Sequence, residues 1–187
     1  VNITGLTLGG TDAGNYTLAS STATTTANIT PASISAITGL LAANKVYDGT
    51  ANATLNTGSA GFTGKLGSDV LTVATATGNF SDKNAGNGKT VNITGLTLGG
   101  TDAGNYTLAS STATTTANIT PASISAITGL LAANKVYDGT ANATLNTGSA
   151  GFTGKLGSDV LTVATATGNF SDKNAGNGKT VNITGLT

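Results

Sequence analysis

Hydrophobic and polar residues alternate with a period of two along much of this chain. Tyr106 and Leu108 alternate with Asn105 and Thr107, Leu71 and Val73 with Thr72 and Ala74, and Ala53 and Leu55 with Asn52 and Thr54. Such alternation puts successive side chains on opposite faces of a β-strand. Val91 and Ile93 hold one phase, Leu96 and Leu98 the other, and the slip falls at Gly95. A glycine at a phase slip predicts a bulge or a bend. No stretch keeps the spacing of an amphipathic helix over three turns, and the many Thr and Gly residues disfavour helix.

Turn signals separate the strands. Asp48-Gly49 follows Val46-Tyr47, and Asn87-Gly88, between Phe80 and Val91, reads as a hairpin turn. Val46, Tyr47, Phe80, Val91, Ile93, Tyr106 and Leu108 are the expected core. The pattern predicts seven to nine short strands per repeat. That count suits an all-β fold of small β-sandwich-like domains, Ig-like or a related two-layer arrangement, set end to end.

The pattern recurs without a single change. Residues 1–97 and 91–187 are the same letters, a period of 90 residues. Such a period is too long for one solenoid turn and long enough for a small domain with its own core. Each period carries one proline, Pro31 or Pro121, after a Thr-rich strand. Proline stiffens the chain and cannot donate to a ladder, so the domain junctions are placed at Ile29-Thr30-Pro31 and Ile119-Thr120-Pro121. Residues 1–29 then form the C-terminal part of a first repeat, 30–119 a complete repeat, and 120–187 the N-terminal part of a third. Neither fragment is expected to close a core alone. The chain reads as a window on a longer polymer, or as a unit whose tail completes the head of the next copy.

Composition narrows the chemistry. The charged residues are eight Lys and eight Asp, with a net charge of zero, and no Glu, Arg or His. Binding to nucleic acid needs clustered Lys and Arg, so that class is set aside. No apolar run approaches the ~18 residues of a membrane span. The chain starts inside a repeat, so the lack of a signal peptide carries no meaning. Without Cys or His, thiol chemistry, Ser-His triads and the usual zinc sites fall away. The remaining acids, Asp48, Asp69, Asp82 and Asp102 and their copies, sit among turn residues, where Asp caps backbone groups. The expectation is a protein that is not an enzyme. Twenty large apolar residues per period argue against disorder.

Four further features bear on function. Asp82, Asn84 and Asn87 place oxygen ligands along one loop, to which Asp102 would add another. This makes a weak calcium candidate that lacks the closing bidentate Glu and contains Lys83. Asn-x-Thr/Ser occurs at Asn52, Asn79, Asn92, Asn105 and Asn118, which makes these five possible glycosylation sites. In each, a strand with the middle residue inward leaves Asn and Thr on the solvent side. Thr72, Thr75 and Thr77 and the Thr112 to Thr116 stretch could present regular hydroxyls, although Thr also simply favours strands. Lys45 and Lys89 are conceivable partners for an isopeptide cross-link with Asn, but no Glu is available to shuttle the proton.

Lys45-Val46-Tyr47-Asp48-Gly49-Thr50, then Gly104-Asn105-Tyr106-Thr107-Leu108, then Ile119-Thr120-Pro121, together resemble the YDG-type repeat and its MBG relatives. Such repeats occur in tandem in large bacterial surface proteins, including adhesins of the filamentous-haemagglutinin type. The resemblance covers the whole period and brings no catalytic residues. It implies extracellular β domains that act as stalk or fibre units at the cell surface or in the matrix. The implied partners are the neighbouring identical repeats and other copies of the chain in a filament. An alternative is a repeated binding module that engages glycan, ice or neighbouring filaments through avidity.

Overall fold

The computed structural model describes all 187 residues. It is all-β apart from two three-residue 3-10 turns, Ala13–Asn15 and Ala103–Asn105. No helix is long and apolar enough to cross a membrane. Between residues 32 and 120 lie eleven strands, more than the pattern predicts, because eight are only two or three residues long. The long ones are Thr72–Phe80, Gly86–Gly99 and Ala113–Thr120.

These three form the centre of a five-stranded sheet. Its order is Lys45–Val46, Ala113–Thr120, Gly86–Gly99, Thr72–Phe80 and Asn52–Ala53. Three two-stranded ribbons complete the repeat. Ala36–Thr38 pairs antiparallel with Gly61–Thr63, and Leu41–Ala42 with Leu55–Asn56. Tyr106–Leu108 runs parallel to Ala32–Ile34. Ile34, Ile37 and Leu40 from the ribbon side share one core with Phe80, Val91, Ile93, Leu96, Ala117 and Ile119 of the sheet. All eleven buried hydrophobic residues lie between residues 34 and 119, and no polar side chain is buried with them.

The long hairpin shows how sequence phase becomes shape. Val91, Ile93 and Leu96 are buried and Leu98 half-buried, so the inward phase changes after Ile93. Thr75 pairs Thr97 and Thr77 pairs Thr94, which leaves one extra residue in the Gly86–Gly99 strand. Gly95 sits there at φ +65°, in the left-handed region that a Cβ disfavours. The bulge predicted at Gly95 is present, and it returns Leu96 to the core face.

Two expectations are corrected. Asn87-Gly88 is not the hairpin turn. The chain reverses over residues 81–85, and Gly88 makes a second bulge inside the Gly86–Gly99 strand, opposite Ala113–Thr120. Its φ is +59°, and its N–H donates to Asn118 Oδ1 at 2.7 Å. The Asn-Gly pair met the local requirement for positive φ, but pairing with a third strand absorbed it. Val46, expected in the core, is 59% exposed. Lys45–Val46 is an edge strand, and alternation turns Lys45 and Tyr47 inward and Val46 out. Phe80, Val91, Ile93 and Tyr106 are buried, while Tyr47 and Leu108 are half-buried.

The partial repeats show what closure requires. Residues 120–187 repeat residues 30–97, yet only residues 167–170 and 181–184 form the central hairpin there. The copy of Ala32–Ile34, residues 122–124, is not a strand, and Ile124 is only half-buried where Ile34 is fully buried. In residues 1–29 the only pairing is Asn2–Ile3 with Ala23–Thr24.

Truncating Ile93 leaves a cavity in the single core, so Ile93→Ala is expected to lower the stability of residues 30–119 by about 2–5 kcal/mol. Val46→Ala removes an exposed side chain and is expected to stay within about 0.5 kcal/mol. Urea unfolding of the two variants, read by circular dichroism, checks both.

Candidate functional site

The Lys45 to Thr50 motif folds into a self-contained clamp. Asp48 Oδ1 accepts the Thr50 N–H and the Thr50 hydroxyl, both at 2.9 Å, which forms a capped turn through Gly49. Lys45 Nζ closes it from the other side, donating to Asp48 Oδ1 at 2.8 Å and to the Thr50 carbonyl at 2.9 Å. The ammonium also lies 5.6 Å from the Phe80 ring centroid, within cation–π range. The Lys45 ammonium and the two Thr50 donors hold the Asp48 carboxyl at about 2. The same clamp recurs at Lys135, Asp138 and Thr140, with Asp138 again at about 2.

The strand that begins with the clamp's lysine ties it to the end of the repeat. Lys45–Val46 runs parallel to Ile119-Thr120, and the Tyr47 N–H donates to the Thr120 carbonyl at 2.8 Å. The residue after that strand is Pro121, so the clamp stands where one repeat passes into the next.

Tyr47 crosses that boundary. Its hydroxyl donates to Asp159 Oδ2 of the following repeat at 2.7 Å. Lys83, in the 81–85 turn, donates to Asp159 Oδ1 at 3.2 Å and lies 5.8 Å from the Tyr47 ring centroid. One carboxylate is thus gripped by a phenol and an ammonium of the preceding repeat. Tyr47 first, then Lys83, holds the Asp159 carboxyl below its ordinary value. Tyr47, followed by Asp159, raises Lys83 above the usual lysine range. Pro121, Ala85, Ile124 and Leu156 line the apolar side of this joint. Tyr137, the copy of Tyr47, is 59% exposed.

Within the complete repeat the copy of Asp159 is Asp69, and a second tyrosine holds it. The Tyr106 hydroxyl donates to Asp69 Oδ2 at 2.6 Å and accepts the Leu66 N–H at 2.9 Å. Asp69, and then burial, push the Tyr106 hydroxyl above the ordinary phenol value. Sequence reasoning assigned both tyrosines to the core and missed their shared acid. The available signal was the tyrosine's place beside turn residues in both motifs.

The calcium candidates do not gather. Asp82 turns both carboxylate oxygens to Lys89 Nζ, each at 2.8 Å, and Oδ1 also accepts the Asn84 N–H at 2.8 Å. Asn87 is exposed in the adjoining strand. Asp102 lies beyond the far end of that strand, where Oδ2 accepts the Val70 N–H at 2.7 Å. No three acidic side chains cluster as a metal would require. Lys45 and Lys89, the isopeptide candidates, have their ammonium groups on Asp48 and Asp82.

Four of the five candidate glycosylation asparagines face solvent as expected. Asn52, Asn79, Asn92 and Asn105 are exposed, and Asn118 is half-buried with its side-chain oxygen on Gly88. Phe80, Ile93, Tyr106 and Ile119 between them are buried and Ala53 is half-buried. Register adds what the sequence did not show. Asn52, Asn79, Asn92 and Thr114 form one row across four strands on the open face of the sheet. Thr77 with Thr94, and Thr90 with Thr116, form parallel rows beside it. Of the threonines considered as a hydroxyl array, Thr77, Thr114 and Thr116 share this face.

Fold and joint together define a tandem array of small all-β domains whose signature residues serve closure and connection. The YDG domain pattern matches residues 30–117 and again 120–187, so the chain belongs to the YDG-domain family. The chain matches no curated protein and no solved structure.

The clamp sets an acid limit. The ordinary carboxyl value is 3.8, against about 2 for Asp48 and Asp138 in the folded chain. A depressed folded-state value stabilises the fold above the unfolded one, and that contribution is lost as pH falls through the folded value. Stability is therefore expected to be flat above about pH 5 and to fall between about pH 4 and 2. Thermal melts across that range check it, and Lys45→Met is expected to flatten the fall.

Proposed function

We propose that this chain is a stalk or fibre-forming segment of a giant secreted bacterial surface adhesin or extracellular matrix filament. Its task is to supply length and stiffness. The observation that carries the reading is the joint. The strand of one repeat ends at Thr120 and the next repeat follows directly through Pro121, with no flexible linker. Tyr47 and Lys83 then hold Asp159 across the boundary. A short connection with fixed polar contacts limits bending, so each added repeat adds a defined step. A net charge of zero and the lack of cysteine suit an extracellular setting, and no catalytic step is part of the reading.

Chains of two, four and eight repeats measured by small-angle X-ray scattering are expected to show a maximum dimension that rises linearly with repeat number. Tyr47→Phe with Lys83→Ala in every repeat removes the grip on the next domain. The rise should then flatten toward square-root growth while circular dichroism of the domains is unchanged. Flexible-chain scaling in the unaltered array would overturn the stalk reading.

A second reading rests on the open face of the sheet. The Asn52–Asn79–Asn92–Thr114 row and its threonine neighbours make an uncharged lattice of amides and hydroxyls at strand spacing, roughly 4.8 Å between rungs. Such a lattice suits glycan or ice better than a charged ligand. Glycan arrays and ice-affinity partitioning with one, two and four repeats test it. Binding that multiplies with repeat number would favour a binding module, and its absence would leave the face structural.

A further inference from the structure

The chain enters and leaves the complete repeat through strands that run straight into their joints. The first strand, Ala32–Ile34, begins directly after Pro31, and the last, Ala113–Thr120, ends directly before Pro121. A residue that precedes proline is held extended, so Thr120 and its copy Thr30 carry the strand direction into the joint instead of turning it back. Each terminal strand also lies parallel to a strand inside the repeat. Ala32–Ile34 pairs with Tyr106–Leu108, and Ile119-Thr120 with Lys45–Val46. Tension along an array reaches the repeat at these two places.

We propose that the two parallel pairs are where the repeat bears tension, and that they bear it in shear. Drawing the joints apart pulls Ala32–Ile34 toward its own N-terminus and Ala113–Thr120 toward its own C-terminus. Each strand must then slide lengthwise along its partner, and its bonds resist together instead of one after another. The bonds gather where the pull arrives. The Tyr47 N–H donates to the Thr120 carbonyl at 2.8 Å, and the Thr120 hydroxyl to the Lys45 carbonyl at 3.3 Å. The Asn118 N–H donates to Asn44 Oδ1 at 2.7 Å, so a side chain lengthens a pairing made by a strand of only two residues. On the entry side the Ala109 N–H donates to the Ile34 carbonyl at 2.9 Å. Asn44 is exposed, and water competes for its bond at equilibrium, but the bond lies on the line of pull. Forced unfolding follows the rate of leaving the native state. A few bonds on that line therefore count for more than many elsewhere. The device takes its purpose from the stalk reading and rests on it in that respect, while its geometry belongs to the single repeat.

Optical-tweezers measurements on the full chain test it along two directions. Tension through the chain ends loads the parallel pairs in shear. Tension through Ser68→Cys and Thr101→Cys enters the long hairpin beyond its Thr72–Gly99 rung and peels the rungs singly. Both positions are exposed, and the chain has no cysteine of its own. End-to-end opening of residues 32–120 releases roughly 300 Å of chain, and its force is expected to be several times that of the crosswise pull. Asn44→Ala should lower the end-to-end force and leave the crosswise force unchanged. Asn44→Asp, which keeps an acceptor oxygen in place, should retain the end-to-end force. Equal forces in the two directions would overturn the proposal, as would an end-to-end force that Asn44→Ala leaves unaltered or lowers no more than the crosswise one. Neither result touches the scaling of length with repeat number, so a failed shear device and a failed stalk are told apart.

Discussion

Two short parallel pairings close the repeat, and the rest of the structure depends on them. Tyr106–Leu108 lies along Ala32–Ile34, and Ile119-Thr120 lies along Lys45–Val46. Each joins residues 74 positions apart, and parallel pairing cannot be made by a tight turn and needs a crossover connection. With both in place, Ile34 and Ile119 are dry. The core is thin, so closure cannot be made up elsewhere. Only thirteen of 187 residues are buried, two of them glycines.

The Lys45 to Thr50 turn and the Tyr106 segment fall around this closure. Lys45, Asp48 and Thr50 fix a turn at the repeat's exit, and Thr120 brings the outgoing chain to it. Tyr47 then points into the next repeat and Tyr106 into its own. Both tyrosines address the same acid of the 90-residue period, Asp69 or Asp159. An array built this way links the folding of a domain to its attachment. The phenol donors and the carboxylate are partly exposed, so the joint gains direction from hydrogen bonding and bulk from Pro121, Ala85 and Ile124.

Much of the fold was legible in the letters. Strict alternation around Phe80, Val91, Ile93 and Tyr106 identified inward residues correctly, because a buried strand face leaves little choice of register. The slip at Gly95 announced a bulge for the same reason. Asn87-Gly88 misled, since a positive-φ requirement is met equally by a turn and by a bulge opposite a third strand. Val46 misled because alternation turns it to the outer face of its strand, which no second layer covers. The joint was the least legible part. Tyr47 and Asp159 are 112 residues apart, and no local pattern marks one as the partner of the other.

The amino-acid sequence determined on its own that this is an array of β domains. Periodicity, glycine and proline placement and a perfect 90-residue repeat are local or one-dimensional properties that survive reading in order. It also ruled out thiol and histidine chemistry by composition. Only the tertiary structure decided what each letter does. Val46 and Ile119 are both β-branched apolar residues in strands, yet one is 59% exposed and the other 1% exposed. Burial depends on which distant strand comes to lie alongside, and the repeat offers every strand more than one identical place to go.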